Sequence, residues 1–233
     1  MDPEPDIPLL LTDLPQWHAR LRMLAGGVVR QFEADDVLVR EAEQPACLWA
    51  VLGGAVTLAF TTPGGRRATV AVLGRGGVLG EQGLSPRVVS VRPGPITSAE
   101  ARALVPTAAC SIGFAALRSA AASDPRVAGW IVAAVGRRAS QIERALARSL
   151  VMRVPARLLG ALDDLADEHG YRRPGGVEID LPLTQDLLAS MVGATRESVN
   201  RALRQLERQD LVRRIGLRYF LPDRRFLFEG GLP

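Results

Sequence analysis

The spacing of hydrophobic and polar positions changes along the chain, and the first pattern predicts a β-rich region. Between residues 28 and 117, short apolar runs alternate with glycine-rich turns. The clearest runs lie at residues 37–39, 48–52, 55–60 and 69–73. Strands this short with turns this regular are typical of an antiparallel barrel or jelly roll, and Gly64-Gly65 between two β-branched runs predicts a hairpin. We therefore expect an N-terminal antiparallel β-roll.

From Pro125 to about Arg153 the apolar spacing becomes helical. About 29 residues at about 1.5 Å per residue make a rod of roughly 40 Å. Apolar and small residues that alternate three and four positions apart predict a coiled-coil seam. The positions of this seam are Val127, Ile131, Ala134, Arg138, Ile142, Ala145 and Ser149, of which Arg138 is the one charged residue. We expect this helix to pair with its copy in a second chain and to break before Pro155, which cannot take a helix-interior hydrogen bond.

Two short helices joined by a tight turn are predicted between Leu183 and Leu206. Thr184 supplies an N-cap hydroxyl for the first helix, and Thr195 does so for the second. Gly193 can take the positive φ that the turn between them needs. The second helix has an apolar stripe of Val199, Ala202, Leu203 and Leu206. This pattern predicts a helix-turn-helix.

Side chains suited to a DNA major groove occupy the exposed first turn of the second helix. They are Arg196, Glu197, Ser198, Asn200 and Arg201. Arginine can bond bidentately to guanine, a carboxylate can accept from cytosine N4, and this end of the second helix enters the groove in a helix-turn-helix. Taken singly, such residues more often form a solvated face. Because the cap, the turn glycine and the apolar stripes coincide, the sequence favours DNA recognition.

Further apolar positions on both sides of Gly216 predict two strands of a wing. In this wing Arg218 would contact the DNA backbone. Between residues 196 and 225 basic residues exceed acidic ones, as a surface that binds phosphate requires. The arginines are at 196, 201, 204, 208, 213, 214, 218, 224 and 225, against Glu197, Glu207, Asp210 and Asp223. The sequence as a whole thus predicts an α+β protein with a β-roll, a long helix and a C-terminal winged helix-turn-helix.

The segment ATRESVNR at residues 194–201, with LTQD at 183–186 and LRQL at 203–206, resembles the recognition segment of the cyclic-AMP receptor protein and fumarate-nitrate reductase regulator (Crp/Fnr) family. The resemblance implies that Arg196, Glu197 and Arg201 read bases. It places Thr184, Gln185, Thr195 and Ser198 near phosphate. Half-sites of TGTGA type would follow, with Asn200 standing where the cyclic-AMP receptor has glycine.

The same resemblance implies a sensor domain at residues 1–124, a dimerisation helix and hinge at 125–154, and a DNA-binding domain at 155–233. Two recognition helices in a dimer would lie about 34 Å apart, so the target is expected to be a near-palindrome. The polar, turn-rich residues 169–176 predict a loop, and the resemblance implies that its surface corresponds to one that touches RNA polymerase in relatives.

The resemblance also implies an effector pocket, but not all of its elements are present. In relatives that bind cyclic nucleotides, a Gly-Glu pair cradles the phosphate and holds the ribose hydroxyl, and here Gly80 and Glu81 fill these roles. The arginine that neutralises the phosphate is replaced by Thr97. The threonine-serine pair that contacts adenine is replaced by Ile142 and Glu143.

These replacements disfavour cyclic AMP and leave the effector open. One interpretation is a different ligand, such as a cyclic dinucleotide or a metabolite, and another is a regulator that needs no effector. The alternative is a cyclic-nucleotide sensor in which Arg87 or Arg92 supplies the missing cation. Clustered cysteines for an iron-sulfur centre and an obvious haem ligand are not apparent, so neither a metal nor haem is expected.

The composition indicates in which compartment the protein works and which partners it lacks. The chain has 233 residues, 47% of them hydrophobic, a formal net charge of +4 and no lysine. Two cysteines, Cys47 and Cys110, are expected to be reduced apolar filler. The acidic, proline-rich N-terminus and the absence of a long apolar run predict a cytoplasmic protein without a membrane partner.

The rival hypotheses are an enzyme and a ligand-binding module that does not touch DNA. The only histidines are His18 and His169, and no carboxylates cluster in the predicted roll, so no catalytic constellation is visible. The Arg196, Glu197 and Arg201 face disfavours the second rival.

Overall fold

A computed structural model of the chain describes residues 26–41, 43, 45–84 and 99–223. The apolar spacing of residues 1 to about 25 predicts a short helical lead-in, and this segment lies outside the described residues. The chain divides into two compact units. The first contains the described residues up to Val56 together with Leu73–Arg138, and the second contains Thr57–Val72 together with the described residues from Ala139 onward.

The described residues of the first unit form six short strands, which confirm the predicted β-rich pattern. They are β1 (Val28–Phe32), β2 (Val37–Val39), β3 (Cys47–Gly53), β6 (Val78–Leu79), β7 (Glu100–Ala103) and β8 (Thr107–Gly113). Four of them form an antiparallel sheet in the order β1-β8-β3-β6. Strands β2 and β7 pair antiparallel, with a register shift between Val37 and Val39. The side chains of β3 are buried from Leu48 to Val51, so this strand is at the centre of the core.

The predicted hairpin is formed by β4 (Val56–Thr61) and β5 (Arg67–Leu73), most of whose residues belong to the second unit. Its turn is closed by a hydrogen bond of 2.8 Å from the Thr62 amide to the Arg66 carbonyl. Gly65 takes a φ of 74°, which an L side chain rarely adopts. The Gly64-Gly65 prediction is therefore confirmed.

Two helices follow the roll: α1 (Phe114–Ser123) and α2 (Pro125–Val151). Helix α1 was not predicted, because the strand pattern was extended through residue 117. Its Leu117 and Ala120 are buried in one cluster with Leu48 and Ile112. Helix α2 confirms the predicted rod, and Val127, Trp130 and Ala134 belong to this same cluster.

The prediction that one seam runs along the whole of α2 was therefore wrong for its N-terminal half. Val127 and Ala134 face the core of their own chain, and Arg138 binds a carboxylate of the same unit. A heptad pattern shows an apolar stripe but not which surface covers it. The sequence therefore could not distinguish packing within the chain from packing against a second chain. The large apolar residues that α2 leaves exposed are Val132, Ile142, Leu146, Leu150 and Val151.

Besides most of the β4-β5 hairpin and the C-terminal part of α2, the described residues of the second unit form three helices and a four-stranded antiparallel sheet. The helices are α3 (Val154–His169), α4 (Gln185–Val192) and α5 (Arg196–Arg208). The strands are β9 (Gly170–Arg173), β10 (Gly176–Ile179), β11 (Arg213–Ile215) and β12 (Arg218–Pro222), in the order β11-β12-β10-β9. As predicted, α2 ends before Pro155, which lies in the first turn of α3.

The prediction of a loop at residues 169–176 was wrong in part. Residues 170–173 form β9, which pairs antiparallel with β10, and Gly175 makes the turn with a φ of 83°. The short polar run YRR carries no alternating apolar pattern. It is ordered by backbone pairing with β10, a contact that no local pattern reveals.

The core of the second unit holds α4 and α5 against α3 and the sheet. Leu158, Leu162, Leu188, Val199 and Leu203 are fully buried. Burial of each such side chain contributes about 1.5–3 kcal/mol. The helix-turn-helix thus rests on the packed core of its unit.

Two absences hold for the part of the chain that the structure describes. None of its helices is long and apolar enough to cross a membrane. It also contains no group of three or more His, Cys, Asp or Glu side chains that could hold a metal ion.

Candidate nucleic-acid interface and effector pocket

Capping interactions define both ends of α4 and the turn that joins it to α5. The Thr184 hydroxyl accepts a hydrogen bond of 3.1 Å from the Leu187 amide and caps α4. Gly193 ends α4 with φ 60° and ψ 46°, and the Ala194 amide donates to the Ala189 carbonyl at 3.1 Å. These are features of a helix C-terminus that needs a left-handed residue. Gly193 therefore makes the predicted turn.

Helix α5 begins with a second side-chain cap. The Thr195 hydroxyl accepts from the Ser198 amide at 3.2 Å. Val199, Ala202, Leu203 and Leu206 are buried, as the apolar stripe predicted. The opposite face of α5 therefore remains available to solvent or to DNA.

The predicted base-reading residues lie on this exposed face. Arg196, Glu197 and Arg201 are exposed, and Arg196 remains 64% exposed although its Nη1 lies 3.6 Å from Asp186 Oδ2. The pKa of Glu197 is lowered, first by a hydrogen bond with its own backbone and then by one with the Thr195 side chain. Glu197 is thus held in the anionic form that accepts hydrogen bonds from a base edge.

The predicted residues around this face differ in accessibility. Thr184 and Thr195 are exposed and use their hydroxyls as caps. Gln185, Ser198 and Asn200 are half-buried. Thr184 is the N-cap of α4, and the other four lie within α4, the turn or α5 of the same helix-turn-helix.

The wing carries exposed arginines, but acidic neighbours bind most of them. Arg218, which was predicted to contact DNA, lies 2.9 Å from Asp180 and 3.6 Å from Glu178. Arg213 pairs with Asp210 at 3.0 Å, and Arg214 pairs with Glu207 at 3.1 Å. Phosphate would have to compete with these carboxylates for the arginines of the wing.

Helix α5 itself offers cations without such competition. Among the described residues, Arg201 and Arg204 form no ion pair, and both are exposed. Both precede Arg208, which donates to the Arg204 carbonyl at 3.2 Å. Among the described residues, the arginines of this surface that are not in ion pairs therefore lie on α5 rather than on the wing.

The effector pocket predicted in the first unit is centred on Gly80 and Glu81. Gly80 takes a φ of 86°, and a Cβ there would lie 2.5 Å from the Cys47 carbonyl oxygen, so only glycine fits. Glu81 opens a short 3-10 helix, Glu81–Leu84. This confirms that the Gly-Glu pair begins a helical turn.

The Glu81 carboxylate forms an ion pair with Arg138 of α2. Its Nη2 contacts Glu81 Oε1, and its Nη1 donates to the Val78 carbonyl at 2.8 Å. Both side chains are nearly buried, at 12% and 14% exposure. Glu81 Oε2 is also buried and has no hydrogen-bond partner among the described residues.

Sequence reasoning assigned Arg138 to the dimer seam and missed this contact. The one available signal was an arginine at a seam position otherwise filled by apolar and small residues. Arg87, Arg92 and Thr97 lie outside the described residues. Ile142 and Glu143 are both exposed on the C-terminal half of α2.

Comparisons with known proteins agree with both regions. A model of the Crp-like helix-turn-helix domain matches residues 156–229, and one of the cyclic nucleotide-binding domain matches residues 29–124. The CRP-like cAMP-activated global transcriptional regulator of Mycobacterium tuberculosis is 28% identical over 192 residues, which cover 82% of this chain and 83% of that protein. The cAMP-activated global transcriptional regulator Vfr of Pseudomonas aeruginosa is 25% identical over 203 residues, which cover 87% of this chain and 92% of Vfr.

A solved structure gives the same fold. That of the c-di-GMP responsive global regulator CLP of Xanthomonas campestris has a TM-score of 0.70 at 22% identity, covering 89% of this chain and 99% of that chain. The architecture is that of a transcription regulator with an N-terminal cyclic-nucleotide-binding-type domain and a C-terminal helix-turn-helix. The chain belongs to the Crp/Fnr family.

Proposed function

We propose that this protein regulates transcription as a homodimer that binds a near-palindromic operator sequence-specifically. The observation that carries the proposal is the face of α5, where Arg196, Glu197 and Arg201 are exposed at the start of a capped, firmly packed helix. These side chains provide bidentate donors and an ionised acceptor for base edges. DNA would be read in the cytoplasm, and the surface at residues 169–176 would face RNA polymerase.

An exposed apolar stripe on α2 supports the homodimer. Ile142, Leu146 and Leu150 follow each other at four-residue intervals on the C-terminal half of α2, and Leu146 and Leu150 are 58% and 75% exposed. Large apolar side chains exposed in a row usually mark an interface. Pairing of two such helices would present two copies of α5 to half-sites one DNA turn apart, for which the TGTGA type is our starting sequence.

For the effector, we propose that the pocket at Glu81 takes a ligand other than cyclic AMP or takes none. Arg138 already binds the carboxylate that would hold a ribose hydroxyl, and Ile142 and Glu143 provide no hydroxyl for an adenine. The alternative remains a cyclic-nucleotide sensor that uses Arg87 or Arg92. The Mycobacterium and Pseudomonas relatives are described as cAMP-activated and CLP as c-di-GMP responsive, so both ligands merit a test.

The DNA proposal is tested with purified protein and a randomised duplex library. We expect selection to enrich a near-palindrome with half-sites one turn apart, bound with an affinity that falls as salt rises. Arg196→Ala should reduce the preference for this site over random duplex about 10- to 100-fold, because one bidentate base contact contributes about 1–3 kcal/mol. Fluorescence anisotropy with labelled duplexes measures both affinities.

Arg137→Ala is the matched control, since Arg137 is exposed on α2 and outside the helix-turn-helix. This variant should keep the preference of the original protein. Failure to enrich any site, or an unchanged preference in Arg196→Ala, would refute the proposal.

Calorimetric titration with cyclic AMP and with c-di-GMP, each with and without operator DNA, tests the effector. Saturable heat with cyclic AMP and tighter DNA binding would support the alternative that uses Arg87 or Arg92.

A further inference from the structure

Two arginines of the wing are bound by carboxylates of their own unit. Arg218 of β12 lies between two of them, with Nη2 at 2.9 Å from Asp180 Oδ1 and Nη1 at 3.6 Å from Glu178 Oε1. Arg214 of β11 donates to both carboxylate oxygens of Glu207 in α5, at 3.1 Å and 3.4 Å. Each guanidinium therefore has its positive charge compensated within the protein.

The carboxylate of Glu178 is a fixed part of this arrangement. Its side chain is 8% exposed, and its second oxygen accepts from Arg173 Nε at 3.1 Å. The pKa of Glu178 is lowered, first by a hydrogen bond with the Tyr171 side chain and then by the charge of Arg173. Glu178 is thus ionised at neutral pH and keeps a negative charge beside Arg218.

Helix α5 differs from the wing in this respect. Arg201, Arg204 and Arg208 are exposed and form no ion pair within the described part of the chain. Their charge can replace the counterions of DNA phosphate directly. An arginine of the wing, by contrast, has to exchange its carboxylate for a phosphate, and the carboxylate repels that phosphate.

We propose that Asp180, Glu178 and Glu207 withhold Arg218 and Arg214 from the DNA backbone and so limit the part of the affinity that does not depend on sequence. This role of the wing rests on the proposed function of DNA binding. Phosphate contacts form with any sequence, so they strengthen binding to random DNA as well as to the operator. With fewer such contacts, less of the regulator is bound at the many competing sites of a genome.

The test measures the affinities of the full chain for the enriched operator and for a random duplex over a range of salt concentrations. The slope of log affinity against log salt reports the phosphate contacts, at about 0.9 for each contact. Asp180→Asn should release Arg218 and steepen this slope by about 0.9. It should tighten binding to both duplexes about two- to fivefold, since a partly exposed ion pair is weak.

A charge-matched double variant shows whether Arg218 causes this gain. Asp180→Asn/Arg218→Gln removes both members of the pair and keeps the net charge. It should bind both duplexes within about twofold of the original protein, because a withheld arginine contributes little to the original affinity. Glu207→Gln and Glu207→Gln/Arg214→Gln repeat the comparison at the second pair and provide the test if a variant at Asp180 does not fold, as judged by circular dichroism.

The control for a general effect of charge is Asp167→Asn. Asp167 is exposed on α3 and forms no ion pair among the described residues. Its loss changes the net charge equally but releases no arginine, so the salt slope should stay within about 0.3 of the original. Asp180→Asn and Glu207→Gln should keep the preference for the operator over random duplex within about twofold, because phosphate contacts carry no sequence information.

The outcomes distinguish this role of the wing from the proposed function. If no site is enriched, the proposed function fails and the role of the wing fails with it. If a site is enriched and Arg196→Ala loses the preference for it, unchanged binding by Asp180→Asn and Glu207→Gln would overturn only the role of the carboxylates. A double variant whose salt slope falls by about 0.9 would also overturn it, because the arginine would then already contact phosphate in the original protein. A double variant as tight as Asp180→Asn would overturn it as well, since Arg218 would not be the group released.

Discussion

Thr195 shows how one side chain at the start of α5 serves structure before it can serve DNA. Its hydroxyl accepts from the Ser198 amide at 3.2 Å and donates to the Ser198 hydroxyl at 3.1 Å. The family resemblance predicted a place near phosphate for both residues. In the structure the Thr195 hydroxyl satisfies the otherwise orphan Ser198 amide of the first helical turn, so a phosphate contact of Thr195 would have to be added to this capping role.

Loss of this cap should therefore appear as a loss of stability. We expect Thr195→Ala to lower the free energy of unfolding of the DNA-binding region by about 1 kcal/mol, the usual cost of removing an N-cap hydroxyl. Urea unfolding followed by circular dichroism measures it. Thr195→Ser keeps a hydroxyl and should stay within about 0.5 kcal/mol of the original protein. Equal stability of the alanine and serine variants would show that the cap contributes nothing.

At the scale of elements, α2 connects with the 3-10 helix through Arg138 and Glu81. Removal of one partner leaves the other nearly buried and unpaired. For fully buried pairs, removal of one partner lowers the free energy of unfolding by about 3–5 kcal/mol. Because both side chains keep slight exposure, we expect Arg138→Met to cost less, about 2–3 kcal/mol.

A double-mutant cycle separates the pair from its surroundings. Glu81→Gln in the Arg138→Met background should cost much less than it does alone, giving a coupling energy above about 1 kcal/mol. Urea unfolding of the four proteins measures it. Arg137→Met is the control, since Arg137 is exposed on the same helix. Strictly additive costs would mean that the Arg138 and Glu81 side chains do not interact in solution.

Elements with a local pattern could be predicted from the sequence. The apolar runs at β2 to β5 coincide with observed strands, Pro155 marks the end of α2, and Gly193 forms the turn between α4 and α5. Each of these features depends on residues close in sequence. The predicted winged helix-turn-helix was therefore confirmed in type and in order.

Features that depend on distant residues could not be predicted. Strand β9 exists because β10 pairs with it. Arg138 forms an ion pair with Glu81, which lies 57 residues earlier in the sequence. The site residues of α5 share one short segment and were found, whereas these contacts require the assembled fold.

At the scale of the whole molecule, the two halves of α2 have different surroundings. Its N-terminal half packs on the roll through Val127, Trp130 and Ala134. Its C-terminal half exposes Ile142, Leu146 and Leu150. A helix buried over one half and apolar but exposed over the other is best explained by a partner for the second half, and in the proposed function that partner is a second chain.

Leu146→Glu should therefore convert the proposed dimer to a monomer, because it places a charge in the centre of the apolar stripe. Light scattering coupled to size-exclusion chromatography measures the mass of the species. Two half-sites bound by one dimer act as linked contacts, so operator affinity should fall about 100-fold or more in anisotropy measurements. Urea unfolding should show that the monomer of this variant remains folded, since Leu146 is exposed in the single chain.

Ala147→Glu adds the same charge one residue further along α2, at an exposed position outside the stripe. It should remain dimeric and should bind the operator as the original protein does. A Leu146→Glu protein that stays dimeric would show that the interface lies elsewhere, and the exposed stripe would then need another partner. A monomer that binds the operator undiminished would instead separate dimerisation from DNA binding, since linked half-site contacts require both copies of α5 on one particle.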